Sequence, residues 1–489
     1  MNRITLSDWE SRDTLRVYLN AVEGTAGIRK GVCRMNVVKV LMELVGFMRN
    51  SRLTEAQMKE LQNRKLREML HFAWNHSAFY RRTFEQAGIT EKQLDSLPLS
   101  AFPTIDKTVL MEHFDELITV QDLSQEELRK FDAETEADRK PYLGKYHVVH
   151  SSGSTGKPGY FIYDEAAWHT MLLGIIRGAL WNMTMPQILK LLAGRPRIIY
   201  IAATDGRYGG AMAVGDGIDG VGARQMYLDI KTPLNEWIEN VRKFKPNIII
   251  GYPSAIKILA ELVEAGKVQV RIKRVISCGE PLSAGLRKLL EKNFLCPVIN
   301  IYGASESLAL GAETGKEDGM LLFDDLNVIE VENGAMYLTS LYNFAQPLIR
   351  YRISDHLTLK TPMKGSPFTR AEILLGRNED LLWFEAGDGH RDFLHPLAVE
   401  GFCIEGLRDY QFRQTAPDAF EMLAETAPDA QISEIKTEML RQMKAILQEK
   451  HLSYVQFYMR FVDAILPDPA TGKKPLIVPS EKTEMGEAV

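Results

Sequence analysis

The chain has 489 residues, 45% hydrophobic and 25% charged, the make-up of an ordinary globular protein with about three domains. Disorder, collagen-like repeats and coiled coil are excluded as descriptions of the whole. Lys plus Arg number 59 against 64 Asp plus Glu, a net charge of −5, which argues against bulk nucleic acid as the partner but leaves room for a small anion in a locally positive pocket.

The N-terminal residues are too polar for a secretory signal. The apolar stretch Met35 to Met48 is broken by Lys39 and Glu43 and is too short to span a bilayer. It suits an amphipathic helix packed on the protein. Cys33, Cys278, Cys296 and Cys403 form no CxxC pair, so a reducing compartment is the simpler reading than a disulfide scaffold or a cysteine zinc site. A cytoplasmic protein with no transmembrane segment is expected.

Residues 1–60 predict helix, and Lys65 to Gln86 continues the pattern with Leu66, Met69, Leu70, Phe72, Ala73, Phe79 and Tyr80. From about Tyr146 short β-branched runs appear, at Arg197 to Ala203, Asn247 to Gly251, Arg274 to Cys278 and Pro297 to Tyr302. Helical patterns lie between the later ones, over Leu234–Phe244, Ser254–Ala265 and Ser283–Asn293. That rhythm predicts an α/β fold with a mostly parallel sheet covered on both faces. After the punctuation at Leu375 to Asn378, strands at Tyr410–Gln414, Phe420–Glu425 and Val455–Val462 and a helix at Ile432–Lys450 make a small α+β unit.

Three glycine-rich stretches compete for the chemistry. Ser151, Ser152, Gly153, Ser154, Thr155, Gly156, Lys157 and Pro158 follow a strand-like Tyr146–His150. Hydroxyls and open backbone N–H groups make an anion cradle, although alone the stretch reads equally as a surface loop. It is not a Walker loop, because Ser151 stands where the first glycine belongs and Pro158 where Ser or Thr belongs. Gly215 to Gly220 is a literal GxGxxG, but it lacks the strand before it and the helix after it that a dinucleotide fingerprint needs. Gly303-Ala304-Ser305-Glu306-Ser307 follows a strand and comes near a nucleophile elbow, with His390, His395 or His451 as base, yet Ser307 replaces the final glycine. A serine hydrolase using Ser305 is therefore an alternative of another class.

Together these stretches resemble the adenylate-forming superfamily of acyl- and aryl-CoA synthetases, adenylation domains and luciferases. Within it they are most similar to the phenylacetate–coenzyme A ligase branch, from about Lys65 to Val478. The resemblance implies activation of a carboxylic acid by ATP as an acyl or aryl adenylate, with release of pyrophosphate and transfer to coenzyme A or another thiol. It implies that Ser151 to Lys157 hold the β- and γ-phosphates. Tyr302 would lie against the adenine, with Gly303 beside it in the ATP-binding motif, Ser305 would meet the α-phosphate, and Glu306 would hold Mg2+. Gly279, Glu280 and Pro281 would form the adenine-side wall, and Asp355, in Pro347 to Asp355, would accept from both ribose hydroxyls. Arg377 would lie near phosphate, Glu379 at the pivot between domains, and Lys473 would be the mobile catalytic lysine, with Lys474 an adjacent alternative. Taken singly, Glu306 also reads as a helix cap, Asp355 as a turn aspartate and Lys473 as a solvated loop charge. Their joint order favours adenylation.

The implied division is a helical extension at 1–60, a large nucleotide- and acid-binding domain at 61–375 and a small mobile domain at 376–489. The acid pocket is expected near Tyr208–Met212, Tyr252, Glu280 and Ala304, and Lys157, Arg350, Arg352, Arg377 and Lys473 are expected to cluster around one cleft. The sequence departs from the branch after the joint. Glu385, Asp388 and Asp392 make that segment more acidic than an anionic CoA would favour, so transfer to an amine or a carrier protein without CoA is the alternative acceptor chemistry. The oligomeric state is left open, homodimer included.

Overall fold

The computed structural model describes residues 42–134, 141–150, 159–202, 212–213, 215–216, 223–229, 232, 234–315, 319–332, 335–353, 355–360, 365–377, 382–385, 391–394, 399, 402, 404–428, 430–449, 452–466 and 475–478. Helices α1 (42–50), α2 (Glu55–His76) and α3 (Ala78–Gln86) come first, then the short α4 (Lys107–Glu112), α5 (Phe114–Leu117) and α6 (Gln125–Glu134). A hairpin, β1 (Tyr146–His150) and β2 (Tyr160–Asp164), leads into α7 (Glu165–Ala179) and α8 (Met185–Ala193). Next come β3 (Arg197–Ala202), β4 (Arg224–Asp229), α9 (Leu234–Phe244), β5 (Ile248–Gly251), α10 (Pro253–Glu264), β6 (Arg274–Cys278), α11 (Ala284–Phe294) and β7 (Val298–Ala304). Strands then dominate: β8 (Ser307–Glu313), β9 (Met320–Leu322), β10 (Asn327–Glu332), β11 (Ala335–Ser340), β12 (Tyr351–Ile353), β13 (Asp355–Lys360) and β14 (Arg370–Arg377). The last unit holds β15 (Leu382–Glu385), β16 (Arg391–Leu394), β17 (Leu407–Ala416), β18 (Ala419–Thr426), α12 (Ile432–Glu449), β19 (Gln456–Val462) and β20 (Ile477–Val478).

The main sheet has nine strands among the described residues, in the order β13-β14-β9-β8-β7-β6-β5-β3-β4. From β4 to β7 the pairing is parallel, as the strand–helix rhythm predicts. Beyond β7 it turns antiparallel. The reason lies in the connection: only residues 305–306 separate β7 from β8, far too few for the crossover that a parallel neighbour requires. Apolar side chains of β3, β5, β6 and β7 pack under α10 and α11 into one core with Ile199, Ile249, Val275, Leu259 and Leu290 fully buried. A larger core continues across α2, α3, α7 and the antiparallel half.

Helix α2 is capped by Thr54 in a capping box with Gln57 and buries Met58, Leu66, Met69, Leu70, Ala73 and Trp74 along one stripe. It is fastened to the sheet by a buried ionic cluster. Arg177 donates to Asp325 through both terminal nitrogens, at 2.6 and 2.9 Å, Asn50 donates to the same carboxylate at 2.8 Å, and Lys65 donates to the Asp325 carbonyl at 2.6 Å. The C-terminal sheet, β19-β18-β17-β20, carries α12 and has its own core of Leu382, Phe384, Phe412, Phe420, Met439, Met443 and Ile477. Among the described residues no helix is long and apolar enough to cross a membrane.

Candidate active site

The turn between β7 and β8 is the centre of the site. Its tightness begins at Gly303, where a Cβ would lie 2.4 Å from the Leu308 carbonyl oxygen, so the two strands close only around a bare α-carbon. The turn presents Ser305 and Glu306. Ser305 donates through Oγ to the carbonyl of His150 at 3.3 Å, which seats the turn on the last residue of β1, immediately before Ser151. Beneath it Tyr163 donates to the Ser305 carbonyl at 2.7 Å, Ser307 and Tyr342 share a hydrogen bond of 2.9 Å, and the Tyr351 phenol is hydrogen-bonded to the Glu306 carboxylate. Burial holds the phenols of Tyr163, Tyr342 and Tyr351 above their ordinary range, and the Glu306 charge adds to this at Tyr163 and Tyr351. All three phenols are neutral, and Tyr163 donates to the Ser305 carbonyl.

Tyr302, the last aromatic of β7, donates to Asp355 Oδ2 at 2.8 Å. Two motifs 53 residues apart in sequence meet in that bond. Asp355 also faces Arg377 across the β13–β14 ladder. On the neighbouring strand end, Gly279 has φ +79° and approaches Tyr252 so closely that a Cβ would meet its ring at 2.7 Å. Glu280 accepts from the Ser254 backbone N–H at 3.2 Å, at the start of α10. Gly279 and Glu280, expected at the adenine-side wall, and Tyr252, expected in the acid pocket, are therefore one local structure. Next to them burial raises the Cys278 thiol to about 12, so it is no nucleophile.

Several expectations are corrected. Arg350 is not a cleft cation. It is 4% exposed, pairs with Glu330 at 3.1 Å and Glu332 at 2.6 Å, and donates to the carbonyls of Ser100 and Phe102, both at 2.9 Å. These partners hold it at φ +48°, a strained setting for a long side chain. The nucleophile-elbow reading of Ser305 also fails: the residue stands in a β-hairpin, where an elbow needs a strand-to-helix turn, and its hydroxyl donates to a backbone carbonyl. The GxGxxG stretch precedes β4, and its described part, 215–216, contacts side chains of α7 and β1. The phosphate-cradle residues 151–158, together with Tyr208, Glu379, Lys473 and Lys474, lie outside the described residues. The chain directly after those lysines is fixed, with Gln411 donating to the Pro475 carbonyl at 3.0 Å and β20 pairing with β17.

Tyr163 and Tyr351 support the Ser305–Glu306 turn, and the sequence did not single them out. Tyr351 lies inside the quoted Pro347–Asp355 signature, but nothing in a linear pattern shows which carboxylate a tyrosine meets.

Residues 105–321 match the family model described as AMP-binding enzyme. Phenylacetate-coenzyme A ligase of Aromatoleum evansii is 25% identical over 352 residues, covering 67% of this chain and 72% of that protein. The enzyme of the same description from Escherichia coli strain K12 is 26% identical over 352 residues, with the same coverage of 67% and 72%. Among solved structures, 2-hydroxyisobutyryl-CoA ligase in its postadenylation state superposes with a TM-score of 0.68 at 19% identity, covering 88% of this chain and 91% of that one. That similarity establishes the fold. The family match over residues 105–321 and the shared fold make the chain similar to the adenylate-forming enzymes. Among them its similarity is to the phenylacetate-coenzyme A ligases, and the comparisons give the serine-hydrolase alternative no support.

Proposed function

We propose that the protein activates a carboxylic acid with ATP and passes the acyl group to coenzyme A. A carboxylate oxygen attacks the α-phosphorus, the bond to the β-phosphate oxygen breaks, and pyrophosphate leaves; the CoA thiolate then attacks the acyl carbon and AMP leaves. The observation that carries this reading is the Tyr302–Asp355 hydrogen bond of 2.8 Å. It ties the proposed adenine face to the proposed ribose acceptor on the same hairpin that seats Ser305 against the end of β1.

Ser305 is assigned to the α-phosphate and residues 151–157 to the β- and γ-phosphates, with Gly279, Glu280 and Pro281 on the adenine side. Tyr252 and Ala304, with Tyr208, are assigned to the acid. Glu306 fits a magnesium ion, because a single carboxylate held by a neutral phenol leaves the remaining ligand positions to water and phosphate, the arrangement this ion favours. When bound it would offset negative charge on the phosphates. Arg377 lies in register with Asp355, which supports its place near the nucleotide. The division into a large domain at 61–375 and a small one at 376–489, joined near Glu379, is supported by the separate C-terminal core. Lys473, or Lys474 beside it, supplies the cation that bridges carboxylate and α-phosphate.

ATP–pyrophosphate exchange over a panel of aryl and small acyl acids tests the reading. Exchange should depend on one class of acid and fall by about 100-fold or more when the lysine that meets the developing charge is removed. Exchange unaffected by Lys473→Ala and Lys474→Ala, singly and together, sinks the mechanism. Adenylate formation without thioester when CoA is supplied would move the acceptor to an amine or a carrier protein.

A further inference from the structure

Outside the nucleotide site, side chains of two elements, β1 and α7, meet one carboxylate. Asp216 Oδ2 accepts from the Trp168 indole N–H at 2.9 Å and lies 3.3 Å from His147 Nδ1. The rings of His147 and Trp168 stack face to face, with centroids 4.4 Å apart and planes 6° from parallel. His147 is 6% exposed and its Nε2 lies 3.7 Å from Glu165. Trp168, on α7, also packs edge-on against Tyr163 at 5.7 Å. Tyr163 is the β2 partner of His147 in the hairpin register and the donor to the Ser305 carbonyl. On the far side the Gly215 carbonyl accepts from Gln225 of β4 at 3.3 Å, while Met212 and Ala213 are buried in the main core.

We propose that Asp216 is a positioning residue that fixes residues 215–216, which follow the assigned acid-pocket residue Tyr208 in sequence, against β1 and the Ser305 turn through Trp168 and the His147 ring stacked on it. The inference rests on the functional reading above. Its physical content is a fixed spacing. Carboxylate and α-phosphate must meet within a few tenths of an ångström of a productive distance, and the acid side and the phosphate side lie on segments about 60 residues apart in sequence. A carboxylate that accepts from the α7 indole, on which the β1 imidazole is stacked, holds residues 215–216 against both elements. Asp216 touches no reacting atom in this scheme.

The test is hydrogen–deuterium exchange with kinetics on the full chain. Asp216→Ala and Trp168→Phe should speed amide exchange in 212–216 and β1 by about tenfold or more, leaving β5–β7 unchanged. Asp216→Asn, whose amide oxygen still accepts from the indole, should stay near wild type. In ATP–pyrophosphate exchange Asp216→Ala should raise the KM for the acid about tenfold while the KM for ATP stays within about twofold. The Asp216→Ala/Trp168→Phe pair should be no worse than either single change. Unchanged protection of 212–216, protection lost across β5–β7 as well, equal rises in both KM values, or additive effects would each overturn the proposal. A wild-type chain that exchanges pyrophosphate with no acid removes the functional reading alone, and hydrogen exchange then still decides the positioning role.

Discussion

The hydroxyl of Tyr302 carries more of the site than its ring alone suggests. By donating to Asp355 at 2.8 Å it fixes one oxygen of that carboxylate and leaves the other lone pairs for the proposed ribose contact. Removing the hydroxyl costs one hydrogen bond to a charged group and leaves the aromatic face in place. Tyr302→Phe should therefore raise the KM for ATP about five- to tenfold with kcat little changed, a loss of about 1–1.5 kcal/mol. Asp355→Ala removes the acceptor itself and should cost about 10–100-fold in the same constant. Initial-rate kinetics at saturating acid separate the two; a KM for ATP unchanged in Tyr302→Phe would show that Tyr302 acts through its ring and not through Asp355.

At the scale of elements the β7–β8 hairpin decides the geometry, and it was only half legible in the sequence. The strand Val298–Ala304 and its motif were plain, because a β-branched run followed by glycine is a local signal. Its antiparallel partner was not, since Ser307–Glu313 is a mix of Ser, Ala, Gly, Leu and Glu with no β-branched or aromatic residue, and its strand state comes from pairing with β7 and β9. The fate of Arg350 was hidden for the same reason: Glu330 and Glu332 meet it only after β10, β11 and β12 have paired. Gly303 is where local and global demands coincide. A methyl group there would press on the Leu308 backbone at 2.4 Å, and backbone cannot swing aside as a flexible side chain can. Gly303→Ala should cost about 1–3 kcal/mol of stability. It should cut exchange activity far more, by about 100-fold, because the Ser305–Glu306 turn moves with the strand. Thermal unfolding beside exchange assays checks this; activity falling only in proportion to folded protein would refute it.

Across the whole molecule the sequence revealed the order of the motifs and the alternation of β3 to β7, both local patterns. It concealed the buried ionic and aromatic clusters that join distant segments. A net charge of −5 says nothing of where charge is buried, and two such clusters respond to acid in opposite senses. Burial holds the His147 imidazole down at about 4, against an ordinary value of 6.5, although the carboxylates of Asp216 and Glu165 lie at its edges. The unfolded chain takes up that proton below about pH 6.5 and the folded chain only near 4. Stability from this group is thus complete above pH 6.5 and is lost as pH falls toward 4. Asp324 works the other way. Burial raises its carboxyl to about 6, so its contribution declines as pH climbs from about 4 through 6. Replacing His147 by Gln leaves Asp324 untouched, so comparing wild type with the variant isolates the histidine. Between pH 7.5 and 4.5 the wild type should lose about 2 kcal/mol more than His147→Gln, as 2.3RT per unit of proton-affinity difference requires. Urea unfolding at the two pH values measures that difference directly. Equal losses in the two proteins would mean that His147 is protonated in the fold at pH 4.5 as readily as in the open chain.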